Sequence, residues 1–238
     1  MNYKMNTIQV VATALLAMVL TGCQTSSEHT LGAESSRNVE QRSIVYEPEN
    51  TYPIVNNHGN MMTYPDLKTM YEKADLVAVV QVNDQTTIKL GETSVGTRSN
   101  AVLKEIYKGE GSARGTSIVI SEDGGIFDPS QVKGNETRID PNHPPTEIKG
   151  LVEIALDGST VMKSNQQYFV FLRKSGNPEN GYNVVGVVQG KIKISEGEQL
   201  VATVDPKEFK EHPAKFILQS QFAGKSKQEL VKKVKEMK

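Results

Sequence analysis

The chain has 238 residues, 27 basic against 28 acidic side chains, a single cysteine and a pI of about 6.5. Length favours one domain. A near-neutral balance argues against a general nucleic-acid partner, which needs a basic face or excess, and one cysteine rules out a disulfide within the chain.

The first segment carries Lys4, an apolar core from Ile8 to Leu20 interrupted by Gln9 and Thr13, and small residues before Cys23. This is the build of a secretory signal peptide, residues 1–22. A bilayer-spanning helix needs about 20 apolar residues, and this core is shorter. Leu20-Thr21-Gly22-Cys23 resembles the lipobox of bacterial lipoproteins. That resemblance implies a diacylglyceryl group on the Cys23 thiol, cleavage before Cys23 and palmitate-type acyl chains holding the protein to the extracytoplasmic face of the cell membrane. An exposed unpaired cysteine is otherwise a reactive liability in an exported protein. Frequent asparagine and an excess of lysine over arginine fit a low-GC Gram-positive source.

Residues 23–43 are polar, with TSSEHT, GAESSRN and VEQR, and read as a lipidated cysteine followed by a flexible tether. About twenty such residues span roughly 25 Å. The globular domain is expected over 44–238. Its first part, EPENTYPIVNNHGN, reads as an irregular arm.

Leu67, Met70, Tyr71 and Ala74 fall on one face of a short helix that begins near Pro65 and ends at Asp75. Leu76 to Val82, LVAVVQV, is a central strand, and Arg98 to Tyr107 and Thr116 to Ser121 are two more. Tyr168 to Arg173 and Tyr182 to Val188 form a hairpin across KSGNPENG, with Lys191 to Ile194 as a further edge. Ile154, Leu156 and Val161 suggest another hairpin around Asp157-Gly158. The insertion 127–150 includes PNHPPTEIKG, with three prolines and no helical period. A loop of that length is either functional or disordered. Near 226–238, Ser226 and Glu229 make a capping box, Leu230, Val231, Val234 and Met237 share a face, and lysines gather toward the C-terminal end.

The order of Ala74-Asp75-Leu76, Lys108-Gly109, Tyr168-Phe169-Val170-Phe171-Leu172, Tyr182 and Gln189-Gly190 resembles an exported bacterial domain family. That family is similar in topology to tissue inhibitors of metalloproteinases and netrin modules. The resemblance covers residues 63–194 and implies a mainly β fold: an OB-like antiparallel barrel with a short N-terminal helix, a long insertion loop and a C-terminal helix. Those inhibitors use a free N-terminal cysteine and disulfides. Here Cys23 is expected to be acylated and no second cysteine exists, so the inhibitory mechanism does not carry over.

No catalytic or metal set stands out. Ser130-Gln-Val-Lys133 and Lys174-Ser175-Gly176 echo penicillin-binding enzymes, but they lie too close together and the second fits a hairpin turn. His29, His58, His143 and His212 lack zinc-ligand spacing and read as loop histidines. Glu122-Asp123-Gly124-Gly125 with Asp128 lacks the alternating ligands of a calcium loop and reads as a solvated turn. The expectation is a lipid-anchored binding module that uses no cofactor, does not bind nucleic acid and has an envelope protein or polymer as partner, through barrel-rim loops or the 127–150 insertion. The alternative is an envelope-acting hydrolase.

Overall fold

The structure is a computed structural model that describes residues 52–59, 61–90, 94–128 and 150–238. The expected signal peptide, Cys23, the expected tether and the expected start of the domain at residue 44 lie outside these residues, as does the expected insertion apart from positions 127, 128 and 150.

The fold is mainly β and its centre is a closed barrel of five strands. These are β2 (Leu76–Lys89), β3 (Val95–Lys108), β4 (Ser117–Asp123), β7 (Gln167–Lys174) and β8 (Tyr182–Val184). They run in the order β7-β2-β3-β4-β8, and β8 returns to β7. Every pairing is antiparallel except the short parallel contact of Ile120 with Tyr182 and Ser121 with Asn183. β2 and β3 extend well beyond the expected LVAVVQV and Arg98–Tyr107. The polar stretch NDQTTIK stays in strand conformation because Thr86 to Lys89 pair with Val95 to Arg98. Cross-strand pairing, not apolar content, holds that half of the hairpin.

Alternation sorts the side chains of β2 and β7 onto two buried faces. Leu76, Ala78, Val80, Val170 and Leu172 fill the barrel with Leu103 and Ile120. Val77, Val79, Phe169 and Phe171 point outward into a second cluster under three helices. These are α1 (Leu67–Lys73), α3 (Ile217–Phe222) and α4 (Lys227–Lys235). Phe171 therefore lies beneath covering helices rather than in the barrel interior, with Phe169 beside it at 5.9 Å between ring centroids. Burial on both faces explains why YFVFLR reads as a continuous apolar run.

α1 places Leu67, Met70, Tyr71 and Ala74 in the core as its spacing predicts. Pro65 stands before the helix, and Asp66 is the cap, accepting the Thr69 amide at 2.7 Å. That bond holds the Asp66 carboxyl below its ordinary range. α4 begins with both arms of the Ser226–Glu229 capping box, buries Leu230 and Val234, and leaves Val231 and Met237 partly covered. Its first turn is clamped to the barrel by Lys227, which pairs with Glu105 at 2.9 Å and with Glu198. Burial raises the Glu105 carboxyl, but hydrogen bonds from Lys227 and Tyr107 outweigh it and hold the group low.

The residues that carry the family resemblance are structural ties between helix and barrel. The Asp75 carboxylate accepts the Lys174 amide at 2.7 Å. Lys108 donates to the α1 carbonyl of Tyr71 at 2.6 Å and lies over the Tyr71 ring, closing the helix's C-terminal end. Gly109 follows at φ 136, where a Cβ would come within 2.8 Å of Leu76. Gln189 is fully buried; its carbonyl oxygen accepts the Tyr64 amide at 2.7 Å, and its amide nitrogen donates to the Tyr64 and Ala214 carbonyls. Gly190 lets the Val185 and Phe171 carbonyls approach to 2.7 and 3.0 Å of where a Cβ would stand.

Three expectations need correction. First, the arm is not irregular: β1 (Ile54–Asn57) pairs in parallel with β6 (Val152–Leu156), which also pairs with β5 (Gly125–Phe127) to make a three-stranded sheet. Second, the strand expected over Tyr182–Val188 stops at Val184. Residues 185–190 turn, with Val187 at φ 59, and the chain rejoins β7 as β9 (Lys191–Ile194), which carries β10 (Leu200–Val201) beyond it. The Val-rich run serves packing instead, since Val188 lies against Val204, Phe209 and Phe216. Third, Glu122 is a buried strand residue rather than part of a solvated turn. The hairpin at Asp157-Gly158 forms as a two-residue turn with φ of 47 and 74, and Leu156 and Ser159 exchange both backbone hydrogen bonds. A further helix, α2 (Pro206–Glu211), begins at an Asp205 cap.

Candidate functional site

Two charged constellations form around β6 and its turn. Neither follows from local sequence spacing.

The first is buried. Glu122 of β4 and Lys191 of β9 pair at 2.6 Å with side chains only 3% and 4% exposed. The second Glu122 oxygen accepts the Met162 amide at 3.0 Å, and Lys191 also donates to the Thr160 carbonyl at 2.6 Å. Glu153 of β6 pairs with Lys163, whose own amide donates to the Tyr168 hydroxyl at 2.9 Å. Burial draws the Lys163 ammonium below the ordinary lysine range, more than the adjacent Glu153 carboxylate restores. Burial likewise pushes the Tyr168 hydroxyl up. One Glu153 oxygen, Oε2, is buried without a hydrogen-bond partner. Glu122 and Lys191 are sealed from any ligand, and their role is to hold β4, β9 and the segment 160–163 together.

The second constellation reaches the surface. Asp157, fully buried at the tip of the β6 turn, presents Oδ1 to the His58 Nδ1 at 3.0 Å and to the Lys215 Nζ at 3.3 Å. Its Oδ2 is buried and unpartnered. Asn56, on β1, fixes the geometry. Its Oδ1 accepts the Gly158 amide at 2.6 Å, so its Nδ2 must face the other way, donating to Glu208 at 2.8 Å and standing 3.5 Å from His58 Nε2. His58 thus stands between the Asp157 carboxylate at Nδ1 and the Asn56 amide near Nε2. Glu208 of α2 lies 3.8 Å from Nε2. Asp157 thus orients an imidazole that is 63% exposed.

His58 is the loop histidine expected, just after β1, but it is not isolated, since it pairs with Asp157. The β6 turn was visible in Asp157-Gly158, but its partners lie 99 and 58 positions away, and no short-range pattern signals them. The other sequence candidates are dispersed. His212 caps the end of α2 and is exposed. Lys174-Ser175-Gly176 occupies the hairpin turn, where the Ser175 amide donates to the Gly181 carbonyl at 2.8 Å. Ser130, Lys133, His29, His143 and Cys23 fall outside the described residues. Among the described residues, no group of three or more His, Cys, Asp or Glu side chains is placed to hold a metal ion. No helix among them is long and apolar enough to cross a membrane. No family model matches the chain, and comparison with curated proteins gives no match.

Proposed function

We propose that the protein is a lipid-anchored extracytoplasmic lipoprotein whose barrel acts as a binding module for an envelope protein or polymer, without cofactor or nucleic acid. The observation that carries this reading is Leu20-Thr21-Gly22-Cys23 directly after a short apolar core. Each buried methylene contributes roughly 0.8 kcal/mol, so two acyl chains give stable attachment where one gives only a transient one. The barrel supports the reading as a rigid scaffold whose loops are free to vary.

The Cys23→Ser chain is expected to lose palmitate incorporation, measured by radiolabel. Equal labelling of both proteins would remove the anchor.

One observation favours the alternative of an envelope hydrolase: the buried Asp157 behind the exposed His58. On that reading His58→Ala abolishes release of soluble fragments from envelope material while leaving the melting temperature near the parent's. Release that persists in the variant counts against it.

A further inference from the structure

α4 spends its apolar stripe on the barrel. Leu230 and Val234 are completely buried in the cluster shared with Met70, Phe169 and Phe171, and Lys227 is held by Glu105 and Glu198 on the barrel side. What remains outside carries more basic than acidic groups: Lys232, Lys233 and Lys235 are exposed on the helix and Lys238 follows it, beside exposed Gln228, Glu229 and Glu236. Two shallow clefts flank Lys232. One has Phe222 as its floor and Lys225, Lys232 and Lys233 on its rim, with Lys225 Nζ lying 5.1 Å from the Phe222 ring centre. The other has Val231 as its floor, between Lys232 and Lys235. Glu229 and Glu236 also border these clefts, and Glu236 is drawn to Lys233 at 3.3 Å. The lysines of the face outnumber its two glutamates.

We infer that this face of α4 is a contact surface for anionic lipid headgroups. The chemistry is that of a small apolar floor rimmed by flexible ammonium groups, which donate to phosphate oxygens at the rim while their methylene stems cover the floor. Basic residues close to an anionic bilayer each strengthen binding by about five-fold. The inference rests on the lipid-anchored reading for the bilayer being at hand. The chain from residue 23 to residue 52 can extend by at most about 3.5 Å per residue, ample for the barrel to turn α4 toward the surface. Once the chain is tethered, a contact too weak to recruit a free protein becomes an intramolecular one and sets the orientation of the barrel.

The test uses the full chain carrying Cys23→Ser, so that no acyl chain contributes. Partition is measured onto vesicles of phosphatidylcholine alone and of phosphatidylcholine with one part in three phosphatidylglycerol, at about 0.05 M and 0.5 M salt. The readout is the ratio of the two partitions, in which the contribution of the apolar segment 8–20 cancels. Two matched variants remove the same charge: Lys232→Gln with Lys235→Gln on the face, and Lys207→Gln with Lys210→Gln on exposed positions of α2. The face pair is expected to lower the ratio by about 25-fold at low salt, the α2 pair by far less, and high salt should abolish the preference. Equal loss in both pairs, or a parent with no preference for the anionic vesicles, overturns the inference. So does a parent that binds a soluble polyglycerol phosphate while ignoring the vesicles, which would assign the face to an anionic polymer. Failure of the Cys23→Ser labelling test would remove the anchor and leave this ratio untouched, so the two failures are distinguishable.

Discussion

Phe171→Ala is expected to lose about 3 to 5 kcal/mol of stability, since it truncates a fully buried ring where β7 meets the covering helices. Single domains have roughly 5 to 15 kcal/mol in total. The variant's melting temperature should therefore fall on the order of 10 °C. Phe171 touches the same cluster as Leu218 and Leu230, so the cavity opens between barrel and helix. The neighbouring helix cannot close it while Lys227 clamps its first turn to Glu105. Arg173→Ala, two positions along on the same strand face but exposed, is the control and should change stability by less than about 0.5 kcal/mol. Equal melting of Phe171→Ala and parent would show that the ring is not packed under α3 and α4.

Lys191→Ala is expected to cost as much by a different route. It removes the cation at 2.6 Å from Glu122 and leaves the carboxylate buried with only the Met162 amide as partner. Removing one member of such a pair costs about 3 to 5 kcal/mol, whereas replacing both by apolar groups of similar volume is often neutral or better. The double change Glu122→Leu with Lys191→Met should thus recover most of the loss. Denaturant midpoints of the parent, Lys191→Ala and the double variant measure this directly. A Lys191→Ala variant within about 1 kcal/mol of the parent, or a double variant worse than it, would mean that the pair is open to water.

Elements whose period is carried by their own residues were legible in the sequence. Leu67, Met70, Tyr71 and Ala74 announce α1, Ser226 with Glu229 announces the start of α4, and YFVFLR announces β7. These are the segments in which local preference and tertiary burial coincide. β1 was not legible because IVNN has two apolar residues, and its conformation comes from pairing with a strand about a hundred positions later. Val185 to Val188 misled in the opposite direction. Val185 packs with Phe171 and Ile192 under the helices, and Val187 and Val188 pack with Phe209 and Phe216, while the backbone turns. The charged constellations were hidden for the same reason as β1. Glu122 beside two glycines has the composition of a turn, and only Lys191, 69 positions on, makes it a core residue. His58 gains its partner Asp157 from the turn after β6, the strand paired with β1 but 99 positions away in the chain.

β7 bonds to β2 along one edge and to β8 and β9 along the other. Three neighbours of one strand impose an order on folding. The β2–β3–β4 meander joins segments adjacent in the chain and can form early, but it remains an open sheet with β2 and β4 as bare edges until Gln167–Lys174 arrives. Leu76 must then find Leu172, and Ile120 must find Tyr182, each across a long intervening loop. Closing such loops before any reward is collected slows folding into the millisecond-to-second range typical of barrels dominated by non-local pairings. During synthesis the N-terminal end emerges first, so the half-barrel exists for the time that the chain takes to deliver β7. Throughout that interval the unpaired edges of β2 and β4 are the places where the chain is most exposed to wrong partners.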